Sequence, residues 1–177
     1  MTIVGEANAH WRLMTPADIP AVDAIAAAIH TALPEHAFVF AERQRLYPDG
    51  CFMLEVDGEP AGYVISHPWH YLRPPALNTL LERIPENAST YYIHDLALLP
   101  RSRRTGAGSA IARRLLAHAD AAGLPSVSLV AVYDAAPFWR RHGFMPVDDP
   151  ALADKLAGYG AEARMMVRPR QIPSLVT

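Results

Sequence analysis

Residues 91–116 restrict this chain more than any other stretch. An apolar run from Tyr91 to Leu99 contains His94 and Asp95, ends at Pro100 and reads as a buried strand. A basic, glycine-bearing loop follows, Arg101-Ser102-Arg103-Arg104-Thr105-Gly106-Ala107-Gly108. A helix then opens near Ser109, with Ile111, Leu115 and Leu116 on one side. A loop that opens a helix leaves several backbone N–H groups unpaired, and the helix dipole adds partial positive charge there. Gly106 and Gly108 admit positive φ and a close approach of backbone to ligand, and Arg101, Arg103 and Arg104 add full charges around the same point. The stretch therefore reads as an anion cradle between a strand and a helix.

Two common cradles do not fit. A Walker loop needs Lys-Ser/Thr after its second glycine, and Ser109-Ala110 stands there; the G-x-G-x-x-G of a dinucleotide fold is absent. The net charge of −2 gives no general attraction to nucleic acid or to an acidic membrane, so any phosphate binding is local. At 177 residues, half of them apolar, the chain is expected to form one domain over residues 1–168, with a tail at 169–177 that is mobile or docks on a partner subunit. Cys51 is the only cysteine and sits in the apolar run Cys51-Phe52-Met53-Leu54, which suits core packing and a reducing cytoplasm. No apolar run is long enough to span a membrane, and no basic-then-apolar leader is legible, so a soluble, cytoplasmic protein is expected.

The flanking elements can be read in order. Residues 10–14 alternate as a first strand, and Thr15-Pro16-Ala17-Asp18 carries the hydroxyl, proline and acid of a helix start. That helix runs to about His30, with Ile19, Val22, Ile25, Ala26 and Ile29 on its buried side. A second opens at Pro34-Glu35, passes through Ala37, Phe38, Ala41 and Leu46, and stops at Pro48-Asp49-Gly50. Residues 51–56 and 61–66 form strands around Asp57-Gly58, a hairpin signal. A proline-rich excursion at 67–89 is either a lid or a packed surface insertion, with a short helix expected over 77–84. After Gly123 come a strand at 126–132, a short helix at 135–142, extended chain at 144–147, a helical turn or two at 148–157 and a last strand at 163–168.

Arg103-x-x-Gly106-x-Gly108 after a strand and before a helix resembles the acyl-CoA pyrophosphate loop of the GNAT N-acetyltransferases. Ala135-x-x-Phe138-Trp139-x-x-x-Gly143-Phe144 resembles a later motif of the same family, and the element order is similar across nearly the whole chain. The resemblance implies an α/β (α+β) GNAT acyl-CoA N-acyltransferase fold: a central mixed sheet of about seven strands, flanked by helices and splayed at a cofactor slot. It also implies acetyl-CoA (coenzyme A) as cofactor. The pyrophosphate would rest on N–H groups of Arg103, Arg104, Thr105, Gly106, Ala107 and Gly108, at the start of the helix that Ser109 leads, with Arg101 or Arg103 assisting. Leu96, Ala97 and Leu98 would pair with the pantetheine arm, and Phe138 and Trp139 would flank it.

The chemistry that the family implies is transfer of an acetyl group to a primary amine. His94 falls where several members carry a general-base glutamate, and its imidazole has a suitable intrinsic pKa. Asp95 is the neighbouring candidate, expected on the opposite face by strand alternation and more suited to an orienting role. Trp139 occupies the place of a proton-donating tyrosine, and Val132 that of a common asparagine, which leaves Tyr133 as the nearest substitute acid. Glu35, His36, His67, Trp69 and His70, with His94, would line the acceptor side, a carboxylate beside aromatics suiting a cationic small-molecule amine or a protein N-terminus. His67-x-x-His70 with His94 lacks the supporting ligands of a metal site, so no metal is expected. A homodimer is compatible with a small chain of this kind, with no interface marked in the sequence. Two other readings stand beside the enzyme: a non-catalytic acyl-CoA-binding or sensing domain, and a generic nucleotide-binding module.

Overall fold

The computed structural model describes residues 8–171; the expectations for the tail beyond residue 171 lie outside them. Seven strands form one sheet: β1 (Ala9–Leu13), β2 (Cys51–Val56), β3 (Glu59–Trp69), β4 (Thr90–Leu98), β5 (Ser126–Ala131), β6 (Met145–Pro146) and β7 (Arg164–Pro169). Their spatial order is β1-β2-β3-β4-β5-β7-β6, and every adjacent pair is antiparallel except β4 with β5. Five helices complete the chain: α1 (Ile19–Ile29), α2 (Ala37–Leu46), α3 (Ala107–Ala121), α4 (Ala136–Arg141) and α5 (Ala153–Ala157). The mixed sheet flanked by helices agrees with the expected fold.

Strand alternation divides the core between the two faces. Phe52, Val64, Tyr91, Ile93 and Leu129 pack under α3 with Ile111 and Leu115. Cys51, Met53, Tyr63 and Ile65 point the other way, against Val22 and Ile25 of α1 and Phe40 of α2. The β2–β3 turn carries Asp57 at φ 54° and Gly58 at φ 82°, the left-handed pair that matches the twist of a tight hairpin. β3 continues through Trp69, beyond the expected end at residue 66.

Two expectations need correction. No helix forms over 77–84; the chain at 70–89 is irregular, with Leu72, Asn78 and Glu82 in the left-handed region, which interrupts any helical run. The buried side of α2 is also unusual: Phe38 is half exposed, while Glu42, Arg43 and Gln44 are buried. The two departures have one cause. An irregular segment has no ladder to satisfy its backbone groups, so neighbouring side chains must do so. Glu42 accepts N–H bonds from Leu81 (2.6 Å) and Glu82 (3.0 Å), and Arg43 donates to the Thr79 carbonyl (3.1 Å). The hydroxyl of Tyr159 donates to the Pro75 carbonyl.

Candidate functional site

β4 and β5 pair only at Tyr91 with Val127, Tyr92 with Ser128 and Ile93 with Leu129, and then separate. The gap opens a cavity of about 570 Å³ between Leu96, Ala97 and Leu98 on one wall and Val130, Ala131 and Val132 on the other. That volume suits a small-molecule site. Phe138 and Trp139 of α4 close it from below, Arg103 and Gly108 border one end, and His30, Glu35, His94, Asp95 and Tyr133 border the other.

At the first end the glycine loop is built mostly from backbone. Gly106 caps α3 at φ 86° and Arg104 precedes it at φ 60°, so the second left-handed residue is an arginine and not Gly108. Gly108 is helical and buried; its role is closeness, since a Cβ there would lie 3.4 Å from both Leu98 and the Phe138 ring. The Thr105 hydroxyl donates to the Ser102 carbonyl (2.7 Å) and accepts the Ala107 N–H (3.3 Å). Ser109, beside it, is within 3.1 Å of His142 Nε2. Gly108 and Ser109 lie in the first turn of α3, where N–H groups have no partner within the helix. Arg103 donates to the Leu98 carbonyl at 3.1 Å beside the cavity, whereas Arg101 donates to the Pro60 carbonyl at 2.6 Å and does not border it.

The other end is made of paired side chains. β4 carries a bulge: Ile65 faces Asp95 and Ser66 faces Ile93, leaving His94 as the extra residue. Tyr91 and Ile93 point into the α3-side core, and Leu96 is the next residue to do so. His94 and Asp95 therefore lie together on the α1–α2 side, not on opposite faces as simple alternation implied. His94 Nε2 is 2.7 Å from Glu35 Oε1, and Asp95 Oδ1 is 2.8 Å from His30 Nε2, while Asp95 Oδ2 accepts the Tyr63 hydroxyl. The His94 ring is 1% exposed although the residue as a whole is half-buried, so its backbone at the bulge, more than its imidazole, meets the cavity.

Electrostatics follow from these pairs. Burial raises the Glu35 carboxyl, but the His94 charge and bond, the Asn78 N–H and nearby Arg43 outweigh it and bring it down to about 2. For His30, burial works against protonation and the Asp95 bond and charge overcome it, so its pKa is raised. Tyr133 stands at φ 51°, half exposed and stacked on His30 at 6.1 Å; burial and the Asp95 charge raise its pKa, which keeps the hydroxyl protonated.

Three of the other expected acceptor residues, His36, His67 and Trp69, lie elsewhere. His36 is exposed, stacks on Phe38 and does not line the cavity. His67 is fully buried, bonded through Nδ1 to its neighbour's carbonyl at 3.0 Å, and burial lowers its pKa to about 3, which makes it a neutral core group. Trp69 donates to the Arg73 carbonyl (2.8 Å) and packs on His67 and His70 outside the cavity. Glu35 borders the cavity with both carboxylate oxygens already bonded to protein, Oε2 accepting the Asn78 N–H at 2.9 Å. Sequence reasoning missed His30, Tyr63, Leu77 and Tyr159. His30 gives one weak signal, a polar residue at the end of an apolar helix; the other three become relevant only through tertiary contacts. Among the described residues no group of three or more His, Cys, Asp or Glu is placed to hold a metal.

The family model of the acetyltransferase (GNAT) family matches residues 19–144. No curated protein matches the chain. Solved structures do: the loading GNATL domain of CurA from Lyngbya majuscula has 15% identity and a TM-score of 0.77, over 93% of this chain and 98% of that one. The GphF GNAT-like decarboxylase in complex with isobutyryl-CoA has 16% identity and a TM-score of 0.74, over 92% and 100%. The ribosomal-protein-S18-alanine N-acetyltransferase from Escherichia coli has 17% identity and a TM-score of 0.64, over 96% and 99%. At such identities the likeness is one of fold.

Proposed function

Because the chain belongs to the acetyltransferase (GNAT) family, we propose that it uses acetyl-CoA to acetylate a primary amine, that of a small molecule or a protein N-terminus. The observation that carries this reading is one continuous cavity that joins the glycine loop to the paired side chains through the parted strands β4 and β5. The pyrophosphate rests on the N–H groups between Arg103 and Ser109, with Arg103 supplying charge. The pantetheine arm lies between Leu96–Leu98 and Val130–Val132, where parted strand edges leave backbone groups to pair with its amides. Its thioester then reaches the bulge.

There the amine nitrogen attacks the thioester carbonyl carbon, an N–C bond forms, the C–S bond breaks, and nitrogen loses one proton while sulfur gains one. His94 takes the proton from the amine through an intervening water, since its ring sits behind the cavity wall. Tyr133 supplies the proton to sulfur, in place of the tyrosine that Trp139 replaces. Trp139 is 6% exposed and packs on Phe138 and Phe144, so it serves as wall and not as acid. Holding amine and thioester together contributes a large part of the rate by itself.

The missing acid at Trp139 favours a second reading, an acyl-CoA-binding domain without turnover. One experiment separates the two. The protein is incubated with acetyl-CoA and a panel of amines and N-terminal peptides while free thiol and acetylated product are measured. Amine-dependent thiol release supports the enzyme. Tight binding of acetyl-CoA with no product on any acceptor supports the binding domain, and failure to bind acetyl-CoA at all defeats both.

A further inference from the structure

Glu35 lies in the connection between α1 and α2, and its side chain is 6% exposed. One oxygen meets His94 Nε2 at 2.7 Å and the other accepts the Asn78 N–H at 2.9 Å. Asn78 answers with its own side chain, whose oxygen accepts the His36 N–H at 2.8 Å and closes a ring between the connection and the 70–89 segment. Asn78 holds the left-handed conformation, φ 57°, that presents its N–H to the carboxylate. Leu77, next to it, borders the cavity.

An ionised carboxylate only accepts hydrogen bonds, so the His94 nitrogen that faces it must carry a proton. In the neutral imidazole this leaves Nδ1 as the lone-pair nitrogen. Nδ1 is buried and has no protein partner among the described residues. A ring held in this way presents one defined basic nitrogen. Without Glu35 both tautomers and a flipped ring become accessible, as happens when the group behind a ligand or catalytic histidine is removed.

We propose that Glu35 is the positioning residue of this site: it fixes the Nε2-protonated tautomer and orientation of His94 and, through the Asn78 N–H, ties that arrangement to the seating of the 70–89 segment. This deepens the reading in which His94 is the base, and it reassigns Glu35 from contact with the acceptor to support of the imidazole. Around the pair, Arg43 approaches from α2, His67 from β3, Tyr92 and Asp95 from β4, and Tyr159 from beyond α5. With its pKa brought down to about 2, Glu35 stays ionised through the working pH range.

The test combines a spectrum with kinetics. Nitrogen-15 NMR of histidine-labelled protein reads the tautomer directly and needs no turnover. The wild type is expected to show His94 as the Nε2–H form, and Glu35→Gln a mixture, with faster hydrogen exchange at the Asn78 amide. In the acetyl-transfer assay Glu35→Gln should lower kcat by about 10- to 100-fold and leave the Kd for acetyl-CoA within about twofold. Glu35→Asp should recover part of the rate. An Nδ1–H tautomer in the wild type overturns the proposal, as does a Glu35→Gln protein with unchanged tautomer and kcat. If Glu35→Gln does not fold, the wild-type tautomer alone decides. If no acceptor is ever acetylated, the tautomer and exchange results still uphold or reject the positioning role, so the two failures are distinct.

Discussion

The two ends of the cavity are built on different principles. The glycine-loop end is backbone: a left-handed Gly106, a close-packed Gly108 and the bare N–H groups of one helix start, with Arg103 bordering the cavity beside them. The bulge end is side chain: two histidine–carboxylate pairs, His94 with Glu35 and His30 with Asp95, brought together from the α1–α2 region and β4. The first end is local in sequence and tolerates change to any one side chain. The second is a buried polar network, in which removing one member strands the others.

The largest effect should therefore come from breaking a pair. Asp95→Ala leaves the Tyr63 hydroxyl and the His30 imidazole without their acceptor, and it should cost roughly 3 kcal/mol of folding stability. Urea unfolding would measure this loss, with binding of acetyl-CoA little changed at saturating protein stability. Equal losses from Asp95→Ala and from a surface aspartate such as Asp154→Ala would remove the claim that this end is part of the core.

Next comes the backbone of the other end. Gly106→Val forces a β-branched residue into φ 86° although open space surrounds its Cβ, so the damage is conformational. The strain, about 1–2 kcal/mol, should weaken acetyl-CoA binding by roughly tenfold in calorimetry. The His94 tautomer should be unaffected.

A smaller effect lies in pH. The folded-state pKa of Glu35 is depressed to about 2 from 4.5, so its contribution to stability is present above 4.5 and lost as pH falls towards 2. His30 behaves oppositely: its folded pKa is raised above 6.5, so its contribution is complete below 6.5 and fades as pH rises through the folded value. Thermal melts across pH should show Glu35→Gln flattening the acid side only and His30→Gln the side above 6.5 only.

The smallest change expected is from Arg103→Ala. Its guanidinium is exposed and also bonded to the Leu98 carbonyl, so acetyl-CoA affinity should drop only a few-fold, with less dependence on salt. A loss as large as that of Gly106→Val would show that this end depends on charge and not on backbone.

Much of the frame was legible in the chain. The left-handed Asp57-Gly58 turn, the strand-loop-helix at Pro100 to Ala107 and the order of elements follow from turn chemistry and periodicity, which act over a few residues. The glycine-loop end was legible for the same reason. The bulge end is less legible: Glu35 and His94 stand out in the sequence, but as separate contacts, and His36, His67 and Trp69 lie outside the cavity. The polar face of α2 could not be anticipated, because it answers the needs of a segment 36 to 40 residues away.

By itself the sequence determined the glycine-loop end, since a helix start, a left-handed glycine and neighbouring arginines lie within a few residues of one another wherever they fold. Tertiary structure decided which carboxylate meets which histidine. A single extra residue in β4, opposite the Ile65–Ser66 step of β3, puts His94 and Asp95 on one face, and the helical connection and the 70–89 segment converge there. A bulge is a matter of register between strands, and register is set by the packing of the whole sheet rather than by the residues at the bulge.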